Sequence, residues 1–206
     1  MNRESSWPRR LAAGLLLLAV ELLGASGMQA QRGGLAAQVN LADLVERAGS
    51  IVRGHVVRAR VEPHPEFTHL QTVVVTLRVA ETLKGESEPV FTFRQFIWDP
   101  RHPDQAAGYQ KGQELLLFLT RPSRVGLASP VGLAQGRFRI RRDAARNEFA
   151  VNAANNLGLF RDLRPALAAR GIALSADEAR LLETHPGGPV PLAELRDFVR
   201  LLAGTE

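Results

Sequence analysis

Cysteine is absent from all 206 residues. The chain therefore has no disulfide, no zinc ribbon, no thiol nucleophile and no lipid-modified cysteine behind a leader. Lysine is scarce as well, with two against 24 arginines, so guanidinium groups carry almost all of the positive side of a net charge of +5. Those arginines are dispersed over the chain apart from one dense run, which is the one place where attraction to an acidic polymer is concentrated. No G-x-S-x-G, H-E-x-x-H, phosphate-cradling P-loop or G-x-G-x-x-G occurs, so the common hydrolase, zinc-protease and nucleotide signatures are missing. "GLAQG" supplies glycines without the lysine or the following helix that phosphate binding requires. Glu81 and Glu86 flank a turn, and nothing in their spacing sets them across a cleft. No apolar run reaches the length of about 20 residues that a membrane-spanning helix needs.

What is present begins with an export signature. Arg9 and Arg10 form a positive n-region, Leu11 to Leu23 an apolar core, and Ala25-Ser26-Gly27 a small-x-small cleavage site. Gly14 and Glu21 interrupt that core. Residues 1–30 are read as a signal peptide, with Arg9-Arg10 leaving the twin-arginine route open beside the general one. The mature chain is then expected in the periplasm or outside the cell, with no membrane span after cleavage and no nucleic acid as partner.

Residues 31–40 form a linker. Asn40 with Asp43 three residues later predicts a capped helix over "NLADLVERAG", ended by Gly49. From residue 50 the pattern alternates: strands are predicted over 50–62, 68–85, 90–97, 113–120 and 132–142, with a short sixth in "EFAVN". In the second, Val73, Val75, Leu77 and Val79 share one face. "QELLLFLT" is apolar throughout, as expected of a central strand covered on both sides. Residues 153–206 read as a helical C-terminal extension. Its segments are "GLFRDLRPALAARG", "SADEARLLETH" capped by Ser175, and "PLAELRDFVRLLAG", where Leu192, Leu195, Val199 and Leu202 make one apolar stripe. The fold class is mainly β with α: a small OB-like barrel of five to six strands over 41–152, closed or partly closed, with the helical extension behind it.

"GHVV", "VTLRVAETLKG", "GQELLLFL" and "VGLAQGRFRI", followed by "NNLGLF" and the terminal "PLAELRDFVRLL", carry a resemblance. Together they resemble a group of uncharacterised exported bacterial proteins, similar in turn to OB-like barrels of the metalloproteinase-inhibitor and netrin-module kind. The resemblance implies the fold. It does not carry the inhibitory chemistry, because those inhibitors chelate the protease zinc through an N-terminal cysteine.

Three candidate sites follow. "VEPHPEFTHLQT", residues 61–72, turns the first strand into the second, and Pro63 and Pro65 forbid ladder hydrogen bonds there. His64 and His69 are the metal candidates, with Glu62, Glu66, Asp99, Asp104 or His102 as further ligands; the spacing matches no metal signature, and the segment reads as a polar loop. The loops 62–69 and 98–112 are the candidate surface for a protein partner, through Glu66, Phe67, Trp98 and Tyr109. "GRFRIRR" is expected to bury Phe138 and Ile140 while Arg137, Arg139 and Arg141 line the opposite face about 7 Å apart. Such a stripe suits the carboxylates or phosphates of a polyanion. His55 reads as a structural strand histidine. The sequence thus points to a non-catalytic exported binding module without a cofactor. Its first expected partner is an envelope or secreted protein, its second an anionic polysaccharide; a metal-dependent enzyme on His64, His69 and His102 is the third reading.

Overall fold

The computed structural model describes residues 37–97 and 108–204, so the leader expected over residues 1–30, most of the expected linker, and the candidates Trp98, Asp99, His102 and Asp104 lie outside the described residues. The first element is helix α1, Leu41–Arg47, started as the sequence predicts: the Asn40 side chain accepts the Asp43 N–H at 2.9 Å. Its end differs. Ala48, in extended conformation, stops the helix. Gly49 serves a close approach instead, since a Cβ there would lie 2.5 Å from the Arg121 side chain and 2.9 Å from its backbone nitrogen.

The strands are β1 (Ser50–Pro63), β2 (Gln71–Lys84), β3 (Val90–Phe96), β4 (Glu114–Leu119), β5 (Arg137–Arg142), β6 (Glu148–Val151) and β7 (Val190–Pro191). They form one antiparallel sheet of seven strands in the order β3-β2-β1-β4-β5-β6-β7. Five to six strands in a barrel were expected; there are seven, and the sheet is not closed, with β3 and β7 at its two edges. The physical reason lies in the second half of the sheet. There β6 and β7 extend past β5 and meet helix α4 (Leu192–Ala203), rather than curling back towards β3. The fifth strand also starts late, because Gly132 and Leu133 adopt positive φ and residues 133–136 coil into a 3-10 turn before Arg137.

β4 is the hinge of the packing. All six of its residues are buried. Leu115, Leu117 and Leu119 point into a cluster with Val52, Val75, Leu77 and Phe93, while Leu116 and Phe118 point to the other side, towards Phe138, Leu195 and Phe198. Alternation along a strand buried on both faces gives this division. The second core is covered by α1, by α2 (Leu163–Ala168) and by α4, whose stripe Leu192, Leu195, Val199 and Leu202 is buried together with Phe198. Glu81 of β2 fixes α4 from the side, accepting hydrogen bonds from Arg196 at 2.7 Å and Arg200 at 2.6 Å.

Helix α3, Ala176–Thr184, buries no residue fully and is held at its start by a capping box: Ser175 Oγ accepts the Glu178 N–H, and Glu178 Oε2 accepts the Ser175 N–H at 2.7 Å. Ser175→Ala is expected to cost about 1 kcal/mol. With so little burial behind it, the loss will show as faster hydrogen exchange confined to residues 176–184, with the sheet amides unchanged.

Candidate functional site

The loop after β1 is built around His64, which is only 3% exposed. Its Nδ1 accepts the backbone N–H groups of Glu66 and Phe67, both at 3.2 Å. That fixes the tautomer, because an acceptor at Nδ1 leaves the ring proton on Nε2. Nε2 then donates to the Val125 carbonyl at 2.9 Å. Phe67 leans over the imidazole at 5.2 Å between ring centroids, and His69 meets the edge of Phe67. Both nitrogens of His64 are thus engaged, and the residue pins the loop to the segment after β4. His69 is exposed, and among the described residues no three His, Asp or Glu side chains gather as a metal site. Glu66 and Phe67 remain at the surface of this pinned loop. Glu62, at its root, accepts from Arg94 at 2.7 Å; that hydrogen bond and the nearby Arg60 hold its carboxyl below the usual range.

Tyr109, the candidate of the second loop that lies within the described residues, is placed in the interior. It is buried at 7% exposure. Its hydroxyl donates to Gln95 Oε1 at 2.7 Å, its ring meets Phe93 edge-on, and the Arg137 guanidinium lies over it at 5.0 Å. Burial pushes the phenol up to about 12, with the Arg137 charge opposing. Tyr109 is the platform under a cation, which adds to the fixing of the guanidinium.

That cation belongs to the arginine stripe. Along β5, Phe138 and Ile140 are buried, Arg139 and Arg141 are exposed, and Arg137 is half-buried, as the alternation predicts. The structure adds what the sequence did not point to. A shallow depression of about 180 Å³ is lined by Gly108, Gln110, Gln113, Arg137, Arg139 and Ala153. Gly108, at φ 63°, makes room for the guanidinium: a Cβ there would sit 2.5 Å from Arg137 Nη1. Arg141 continues the same face further along β5, while Arg142 turns to the opposite one. Gln110 and Gln113 lie in an irregular stretch before β4, where no periodicity marks a residue, so only their place in the fold brings them to the arginines.

Set against protein-family models, curated proteins and solved structures, the chain matches none.

On the opposite face of the sheet a second charged group is fully satisfied. Glu114 Oε1 accepts from Arg53 Nε at 2.9 Å and Nη2 at 2.6 Å, and Oε2 accepts from Arg142 at 2.8 Å. Arg53 also bridges to Glu148 at 2.8 Å. His55, half-exposed, approaches Glu114 Oε2 at 3.5 Å, a carboxylate neighbour that its sequence position alone did not reveal. Burial raises the Glu114 carboxyl, but the hydrogen bonds from Arg53 and Arg142 outweigh it and hold the group below its usual range. A carboxylate fixed as an anion in this way is a poor proton acceptor near neutral pH. The cluster ties β1, β4, β5 and β6 together.

Proposed function

We propose that this chain is an exported, non-catalytic binding module that holds the carboxylates or phosphates of an anionic polymer on the outer face of β5. The observation that carries the reading is the depression between Arg137 and Arg139. One guanidinium is seated on an aromatic ring, a second stands beside it at the surface, and two glutamine amides share the rim. Arginine's planar fork suits paired oxygens of a carboxylate or phosphate, and a guanidinium already fixed by packing loses less freedom on binding. Export is supported by Arg9-Arg10, the run Leu11 to Leu23 and Ala25-Ser26-Gly27. An OB-like arrangement of the first half is supported by the segment after β4, which returns to β3: the Ala128 N–H donates to the Arg94 carbonyl at 2.8 Å, a single parallel bridge where a barrel would close.

The test is titration of the purified protein with polygalacturonate and with polyphosphate over a series of salt concentrations, against neutral dextran. Affinity should fall linearly in log–log form with salt, as counterions are released from the polymer. Arg139→Glu should weaken binding about tenfold at low salt, about 1.4 kcal/mol, and flatten the salt slope. Binding that ignores both salt and Arg139→Glu would sink the reading.

A second reading has its own observation. Phe67 stands 37% exposed on a loop that His64 holds in place, which suits an aromatic anchor for an envelope or secreted protein. A protein captured at high salt by the wild type, and lost with Phe67→Ser, would favour it over the polymer.

A further inference from the structure

We propose that the outer edge of β3 is a docking strand, and that it takes an extended basic segment of another polypeptide as an added strand. This surface is separate from the arginine stripe and does not depend on it. The argument starts from the direction of backbone groups. Pro89 O accepts from Val79 and the Ile97 N–H donates to Gln71 O, so residues 89, 91, 93, 95 and 97 face β2. The register along β3 is unbroken. Val90, Thr92 and Arg94 therefore direct their N–H and C=O groups outward. At Arg94 that edge is met by the Ala128 N–H, but Val90 and Thr92 have no backbone partner among the described residues.

Proteins blunt such edges with proline, inward charges or a cover. Among the described residues none of these acts on the outer side at Val90 and Thr92, the cover being confined to Arg94. Pro89 lacks its N–H on the side of β2, so the proline leaves the outer edge intact. The Arg94 guanidinium is held by Glu62 and Thr72. Val90, 60% exposed, is the most exposed large apolar side chain among the described residues. Two depressions flank the open stretch and share Phe91 and Thr92. One, of about 320 Å³, is walled by Phe93, Leu119, Pro122 and Ala128; the other, of about 430 Å³, by Glu86, Ser87, Glu88 and Val90.

The two depressions define the occupant. An added strand places alternate side chains on opposite faces, so one set falls against the apolar wall and the other towards solvent. At the Glu86 and Glu88 end, two exposed carboxylates favour a lysine or arginine. The protein as a whole is cationic at +5, so most of the surface repels a basic segment while this end attracts it.

The experiment uses a short fluorescent peptide alternating valine and lysine, its analogue N-methylated on alternate backbone nitrogens, and the purified protein. Anisotropy should report saturable binding of the first peptide, and at least tenfold weaker binding of the methylated one, which keeps charge and side chains but loses backbone hydrogen bonds. Thr92→Pro removes an outward donor while leaving the β2 ladder intact, and should weaken binding at least tenfold. Glu88→Lys, at an exposed position with no risk to the fold, should do so by a smaller factor. Amide exchange at Val90 and Thr92 should slow when the peptide is bound. Equal binding of the methylated peptide, or no effect of either substitution, would overturn the proposal. So would a dimer in sedimentation that Thr92→Pro dissolves, since the edge would then serve a second copy of this chain.

Discussion

Replacing Asn156 with leucine is expected to lower the stability of the protein by about 3–5 kcal/mol, a loss at the upper end for one side chain. Asn156 is 1% exposed and uses its whole amide. Oδ1 accepts the Asn152 N–H at 3.0 Å, and Nδ2 donates to the carbonyls of Ala150 at 2.9 Å and Gly188 at 2.7 Å. Its own N–H donates to Asn152 Oδ1 at 2.9 Å. Leucine would leave one buried N–H and two buried carbonyls without this partner, each at a cost of about 1–3 kcal/mol. It would also have to sit at φ 55°, a conformation asparagine tolerates better than an apolar side chain does. The Gly188 contact ties the turn after β6 to the segment leading into β7, so the damage should spread to the docking of α4. Urea unfolding at constant m-value measures the loss. Asn156→Asp, which keeps the acceptor but not the two donors, should fall between wild type and leucine. A leucine variant within about 1 kcal/mol of wild type would mean that water or a backbone shift replaces the network.

The second large effect is at Glu114. Glu114→Gln is expected to destabilise by about 2–3 kcal/mol at pH 7, less than the full cost of breaking a buried ion pair, because Arg142 is half-exposed and Arg53 keeps Glu148. The pH dependence supplies a sharper check. The folded carboxyl lies below its ordinary 4.5, so its contribution is present in full above that value and fades as pH falls through the lower folded one. Wild type and Glu114→Gln should therefore differ most near neutral pH and converge below pH 4.5. A gap that stays constant down to pH 3 would show that shape, not charge, decides the site.

Much of the fold was legible because local pattern and tertiary role agree. Alternation over Val73, Val75 and Leu77 in β2, the apolar run Leu115–Leu119 in β4 and the stripe on α4 each state which side chains are buried, and each is buried so; the cap at Asn40 states where α1 begins. What escaped the sequence was set at a distance. Arg53 and Glu114 stand 61 positions apart and Arg53 and Glu148 95 apart, so their pairing follows only from strand order. β7 has two residues, too few for any period to register. Tyr109, in a loop of prolines and glycines, read as an exposed aromatic, and only the approach of Phe93 and Arg137 encloses it. The segment around His64 read as a polar loop, but not as one pinned by its histidine, because the partners of that ring are backbone atoms, which composition never displays. The stripe on β5 was legible as alternation; the glutamines that join it were not.

The placement of β4 has a consequence for how this sequence tolerates change. A strand with one wet face offers a neutral position at every second residue, so drift can accumulate there without cost. β4 offers none, since each side chain from Leu115 to Leu119 belongs to one hydrophobic cluster or the other, and Glu114 is bound by two arginines. Diverged copies of this protein should therefore vary in the loops, in α3 and along β3 well before they vary in β4. Those six residues are where remote kinship would be read last and lost last.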